Sequence, residues 1–189
     1  MIVTHEHIDH VKGLNQLKNK IKVYTKLKTA EFLKLEKFID IENQNDFNLE
    51  LIKTSHDAID PFGLIFLVNK KKYVHITDTG YLSKKNLEQI KNADFYLIES
   101  NYDDELIITN EKYPYIIKKR IMSEKGHLSN ENANNYLRKS IGDNTKKIAF
   151  AHLSSENNNH ENILMLNQEI DVEKIILEKN ETVVIDFEN

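Results

Sequence analysis

The chain has 189 residues, of which 30% are charged and 40% hydrophobic, with a formal net charge of -4. That balance fits one soluble globular domain and excludes a bulk attraction to polyanions or anionic membranes. With no cysteine, disulfides and thiolate ligands are excluded, so any metal must be held by His, Asp or Glu; the lack of a long apolar run or signal-peptide core makes the cytoplasm the expected location.

In chain order, "IKVYT" (21–25) reads as a strand and "KTAEFLKLEKFI" (28–39) as a helix, because Phe32, Leu33, Leu35 and Phe38 recur at helical spacing. The alternation in "FNLELIKTSH" (47–56) is that of a strand, and "GLIFLVN" and "YVHITD" flank a lysine-rich turn as a hairpin does. A helix over 83–93 with Ser83 as N-cap leads to the apolar strand "DFYLIES" (94–100). Another Ser-capped helix over 129–140 precedes the strand "KKIAFAHLS" (146–154), and the tail gives a helix from "HENILMLNQEI" and two strands from "EKIILEKNETVVIDF". Strands and helices interleave without a linker or repeat, which predicts helices packed on a sheet, α/β or α+β.

The segment "HEHIDH" places His5, His7, Asp9 and His10 within six positions. On an extended backbone residues two apart share a face, so His5 and His7 can hold one metal, while Asp9 and His10, past a bend, reach a second. Further candidates lie where apolar runs end: His56 in "LIKTSHDA", His152 in "IAFAHLSS" and Asp78 in "HITDTG", since active-site loops of layered folds leave strand ends. A carboxylate at Asp78 can serve two ions, one oxygen each. Taken singly, each of these three also fits a hydrogen-bonded strand-end residue. His75, inside a strand, and His160, at a helix start, are read as structural.

In order along the chain, "HEHIDH", "SHDAIDPFG", "ITDTG", "LIESNYD", "GHLSNENA" and "AHLSSENN" resemble the metallo-β-lactamase superfamily, and within it the YycJ/WalJ-type proteins related to RNase Z. The resemblance covers residue 3 to about residue 160. It implies an αββα sandwich spanning 1–189, with His5, His7 and His56 on one metal, Asp9, His10 and His152 on the other, and Asp78 between them. His127 in "GHLSN" matches a histidine that protonates a leaving oxygen, so the catalytic set is Asp9, Asp78 and His127. Tyr102 stands where the family pattern has histidine. The family also carries strands before its HxHxDH motif that have no counterpart here, so the fold is expected to be N-terminally incomplete, with an open sheet edge that an oligomer or a partner chain covers.

The implied chemistry is that of two divalent ions, Zn or Mn, sharing an activated bridging hydroxide in an in-line phosphoryl displacement. The resemblance implies a DNA exonuclease working from the 5′ end. Lys118, Lys119, Arg120 and Lys125, with Tyr113 and Tyr115, fit phosphate and base contacts, and equally the solvated basic face of a helix. Ser129, Asn130, Ser154 and Asn158 are candidate substrate contacts, although Ser129 also fits a helix cap. The same scaffold serves thioester and lactone hydrolases, and an inactive remnant is the remaining alternative.

Overall fold

The computed structural model describes residues 1–178. Ile2 forms a parallel bridge with Tyr24, and two one-turn helices follow, α1 (Ile8–Val11) and α2 (Leu14–Leu17). Next come β1 (Tyr24–Thr25), α3 (Leu27–Phe32), β2 (Ile39–Asp40), β3 (Leu49–Lys53), β4 (Phe62–Val68) and β5 (Lys71–Ile76). α4 (Lys84–Ile90) leads to β6 (Phe95–Glu99), and α5 (Asp104–Thr109), α6 (Tyr115–Ile121) and α7 (Asn130–Ser140) lead to β7 (Lys147–Ala151). α8 (His160–Leu166) and β8 (Glu173–Ile176) follow, and the second strand expected in the tail lies outside the described residues.

The six long strands form one sheet in sequence order, β3 to β8. β3, β4 and β5 pair antiparallel, and β5 through β8 pair parallel. The hairpin works because Asn69 and Lys70 take φ of 51° and 65°, the left-handed pair that a two-residue turn needs to match strand twist. β1 and β2 form a second, small parallel sheet.

Period-two alternation sorts the side chains into layers. Ile52, Ile65, Val74, Ile76, Tyr96, Ile98, Ile148 and Phe150 face one side of the large sheet and pack with Ile90, Leu137 and Ile163 of α4, α7 and α8. Phe62 and Leu64, on the opposite face of β4, pack with Tyr24 of the small sheet and with Ile41 just past β2. Val3, Val23, Leu14 and Ala30 bury the other side of that small sheet under α2 and α3. The order is helix, sheet, sheet, helix, the αββα arrangement that the resemblance implies.

Two elements are shorter than their sequence pattern. The helix expected over 28–39 stops at Phe32 because Lys34 turns left-handed, φ 52°. The Lys34 and Leu35 amides then donate back to Glu31 and Ala30 carbonyls at 3.1 and 3.0 Å, a Schellman closure. Its remaining apolar residues, Leu33, Leu35 and Phe38, serve the small cluster instead. The strand expected over 21–25 keeps only Tyr24–Thr25, because the Ile21 amide still closes the turn after α2 on Leu17. No helix among the described residues is long and apolar enough to cross a membrane.

Candidate metal centre

Strands β3 and β5 are both antiparallel to β4, and β5, β6 and β7 are mutually parallel. The C-terminal ends of β3, β5, β6 and β7 therefore share one edge of the sheet, where loops of open α/β sheets build binding sites. His56 lies three residues past β3, Asp78 two past β5, Glu99 ends β6 and His152 follows β7. Asp78 and His152 both adopt left-handed backbone, φ 56° and 59°, a conformation that L-residues hold only when their surroundings fix it.

The "HEHIDH" segment meets this edge from the small sheet. The Val3 amide donates to the Tyr24 carbonyl at 2.9 Å, so the first residues run along β1 and deliver His5 and His7 in extended backbone. Glu6, between them, faces elsewhere and accepts the Ile59 amide at 2.8 Å. α1 then begins at Ile8 and sets Asp9 and His10 beside His152, with Asp9 still exposed.

Two triads result. The ligand atoms of His5, His7 and His56 all lie within 4.8 Å of one another, as do those of Asp9, His10 and His152. Asp78 stands between them: its Oδ1 is 3.7 Å from His56 Nε2 and 3.4 Å from His152 Nε2, and its Oδ2 is 3.3 Å from His10 Nε2. The structure thus brings together all seven residues predicted as metal ligands.

A divalent cation fits this donor set on two counts. His5 Nε2 is buried without a hydrogen-bond partner, which is costly for a polar atom unless something satisfies it. The donors are imidazole nitrogens and carboxylate oxygens, the set that suits Zn and Mn. The electrostatics of His5 and Asp78 agree. Burial, reinforced by neighbouring His10, pushes His5 down to about 3, so it presents a neutral nitrogen. Burial tends to raise Asp78, but His10, His152 and His5 outweigh it and hold the carboxylate well below its usual range.

Glu99, absent from the sequence prediction, anchors the centre. It is fully buried at 0% exposure. Its Oε1 lies 2.7 Å from Nδ1 of both His127 and His152, and its Oε2 accepts the Thr79 and Leu128 amides at 3.2 and 3.1 Å. Burial tends to raise Glu99, yet these two histidines hold it below the ordinary carboxylate range. An ionised carboxylate only accepts, so both histidines donate through Nδ1 and present Nε2 outward. For His152, burial opposes protonation, but Glu99 and Asp78 push it up to about 9. His56 is oriented in the same way, with Nδ1 3.0 Å from the Gly126 carbonyl. Sequence alternation carried a signal for Glu99. Tyr96 and Ile98 face the helix side, which puts Phe95, Leu97 and Glu99 on the opposite face.

His127 overlooks both triads, its ring centroid 5.1 Å from that of His56 and 5.2 Å from that of His152. The four candidate substrate contacts sit beside the centre with their side-chain polar groups engaged inside the chain. Ser129 caps α7 by accepting the Asn132 amide at 3.2 Å, and Asn130 joins Ser100 at 2.6 Å and Asn158 at 2.9 Å. Ser154 Oγ accepts the Asn157 amide at 3.2 Å. Tyr102 is buried and its carbonyl accepts the Asn130 amide at 2.8 Å. His75 lies within β5, and His160 begins α8 against Glu178. Of the basic stretch, Lys118, Lys119 and Arg120 lie on α6 and Lys125 beyond it, and Arg120 pairs with Asp57.

The description "Beta-lactamase superfamily domain" matches residues 1–150. The chain is 37% identical over 186 residues to the exodeoxyribonuclease WalJ of Streptococcus pneumoniae, covering 89% of this chain and 69% of that protein. It is 40% identical over 172 residues to the exodeoxyribonuclease YycJ of Bacillus anthracis, covering 84% and 65%. Among solved structures, the metallo-β-lactamase fold protein YhfI from Bacillus subtilis superposes with a TM-score of 0.70 at 16% identity, over 94% of this chain and 73% of that one. Human tRNase Z, short form, gives 0.61 at 16% identity, over 98% and 78%. The chain therefore belongs to the beta-lactamase superfamily, with the metallo-β-lactamase fold, and is one of its metal-dependent hydrolases.

Proposed function

We propose that this chain is a dinuclear phosphodiesterase acting on DNA, an exonuclease working from the 5′ end. The observation that carries the reading is Asp78 Oδ1 standing 3.7 and 3.4 Å from the histidines of two separate triads. The kinship to two exodeoxyribonucleases supports DNA as substrate, and the 5′ polarity rests on the resemblance to YycJ/WalJ-type proteins.

His5, His7 and His56 would hold one cation, Zn or Mn, and Asp9, His10 and His152 the other, with Asp78 shared. Such cations, when bound, lower the pKa of a water and neutralise charge on a phosphodiester. The chain's own part is orientation and proton transfer. Glu99 and the Gly126 carbonyl fix which nitrogen His127, His152 and His56 turn to the centre. With Nδ1–H donated to Glu99, a doubly protonated His127 ring would carry the transferable proton on Nε2 and would deliver it to the departing oxygen, leaving the neutral ring.

The test is elemental analysis of untagged protein purified without chelator, with digestion of 5′-labelled and 3′-labelled oligodeoxynucleotides. About two metal equivalents, reduced in Asp78→Ala, with release of the 5′ label first, are expected. Metal-replete protein that leaves both oligonucleotides intact would overturn the nuclease reading.

A further inference from the structure

A cavity of about 290 Å³ opens beside His127 on the His56 side. Asp57 and Arg120 form its polar wall, and Tyr113, Ile117 and Ile121 its apolar one. We infer that this cavity is a nucleotide subsite: Arg120 takes a phosphate flanking the scissile one, and the base lies against Tyr113 and Ile117. The inference rests on the phosphodiesterase reading above.

The charge at this place is built, not incidental. Asp57 directly follows His56 and turns one carboxylate oxygen to each side. Its Oδ1 is 3.6 Å from His56 Nε2, and its Oδ2 accepts Arg120 Nε at 2.6 Å. The guanidinium is thereby held one carboxylate away from the His5, His7, His56 triad. Only Nε is used, and neither terminal Nη group has a partner among the described residues. A guanidinium tethered through Nε still offers a planar pair of donors, the fork that matches two phosphate oxygens. Neighbouring cations are differently placed: Lys118 Nζ donates to the Ile108 carbonyl at 2.6 Å, and Lys112 pairs with Glu156 at 2.6 Å.

Size and lining select the ligand. About 290 Å³ is just below the range of ligand cavities, roughly 300–1,000 Å³, and suits one base with its sugar. A tyrosine ring beside two isoleucines gives a stacking surface that accepts any base. Tyr115, the other aromatic of this stretch, is 77% exposed and does not line the cavity.

Thymidine 3′,5′-bisphosphate and its abasic analogue 2-deoxyribose 3,5-bisphosphate separate the contributions, because both carry one phosphate for the centre and one for Arg120 and only the first carries a base. Their dissociation constants, measured by equilibrium dialysis against the protein as purified, are expected to differ at least about tenfold in favour of the nucleotide. Tyr113→Leu should remove that preference, and Arg120→Ala should weaken the nucleotide about tenfold. Lys139→Ala, which deletes the same charge from α7 outside the cavity, should change binding less than about twofold. Circular dichroism checks that the variants fold. Equal affinity for the nucleotide and its abasic analogue in the wild type, or wild-type nucleotide binding in either cavity variant, overturns the inference. A Tyr113-dependent nucleotide preference in a protein that cleaves no oligodeoxynucleotide would leave the subsite standing and sink the nuclease reading.

Discussion

Replacing Glu99 by Gln keeps the shape of the buried side chain and removes its charge. Glu99 accepts four donors, two histidine rings through Oε1 and two backbone amides through Oε2. Glutamine offers one acceptor and one donor group, so it can satisfy only one pair as they now stand. If its oxygen faces the histidines, its NH₂ abuts the Thr79 and Leu128 amides, leaving buried donors unpaired at about 1–3 kcal/mol each. If it turns over, the amides keep their acceptor and the histidines must accept at Nδ1, which moves each ring proton to Nε2. The second arrangement avoids the larger penalty and is the one expected. His152 then presents an N–H toward Asp78 where a metal needs a lone pair. Loss of such an orienting carboxylate costs about 10–100-fold in metal affinity, or about 1.4–2.8 kcal/mol. Competition against a chromophoric chelator should show one of two equivalents weakened by that factor, with an unchanged far-ultraviolet dichroism spectrum. Wild-type affinity for both equivalents would refute the reasoning, since Glu99 would then not set the nitrogen that His152 offers.

Metal addition should stabilise the chain. At a hundredfold excess over Kd the gain is about 2.7 kcal/mol, a rise in Tm of about 5–11 °C for a chain of this size, and Asp78→Asn should lose most of it; equal rises in both proteins would contradict the shared position of Asp78. Tyr96 is fully buried, with its hydroxyl 2.7 Å from the Ile90 carbonyl and accepting the Ala93 amide at 3.0 Å, and burial pushes it up to about 12. Because the folded pKa lies above the unfolded value near 10, its contribution is intact below pH 10 and is lost as pH rises toward 12; urea melts should show wild type losing stability more steeply than Tyr96→Phe across that window, and parallel slopes would count against it. A Cβ at Gly80 would sit 2.2 Å from the Ser123 carbonyl, so Gly80→Ala should displace the turn before His127, destabilise by about 1–3 kcal/mol and depress hydrolysis; unaltered melting would mean the turn yields freely. Phe150, with no exposed surface, should cost about 3–5 kcal/mol on truncation to Ala, read from the same melts.

What the sequence made legible was local or terminal. HxHxDH carries its two half-sites within six residues, and His56, Asp78 and His152 stand where apolar runs stop, so each could be nominated without a fold. Glu99 was missed because it also ends an apolar run, where an acidic residue is ordinarily a solvated stop. Its burial follows only once Tyr96 and Ile98 are known to face α4 and α7, which turns Glu99 toward the space between the sheets. Helix α3 was overextended because Leu35 and Phe38 have helical spacing, while the small cluster that claims them is a tertiary feature.

The assembly of the centre depends on sheet register more than on any motif. Ile76 pairs with Ile98, and Glu99 pairs with Ala151. These two pairings put Asp78, Glu99 and His152 at one height along three adjacent strands. "GHLSN" then locks the height from above. The Gly126 carbonyl takes His56, His127 takes Glu99 Oε1, the Leu128 amide takes Oε2, and Ser129 starts α7. A slip of β6 by one residue against both β5 and β7 would turn Glu99 toward the helix side, where Ile90, Leu137 and Ile163 offer it no donor. Ionised carboxylate there would be prohibitive, so the same residue that orients the histidines also penalises the wrong pairing. Glu99 therefore couples function to folding: its four acceptor contacts exist in one register only, and that register is the one in which the two triads face each other.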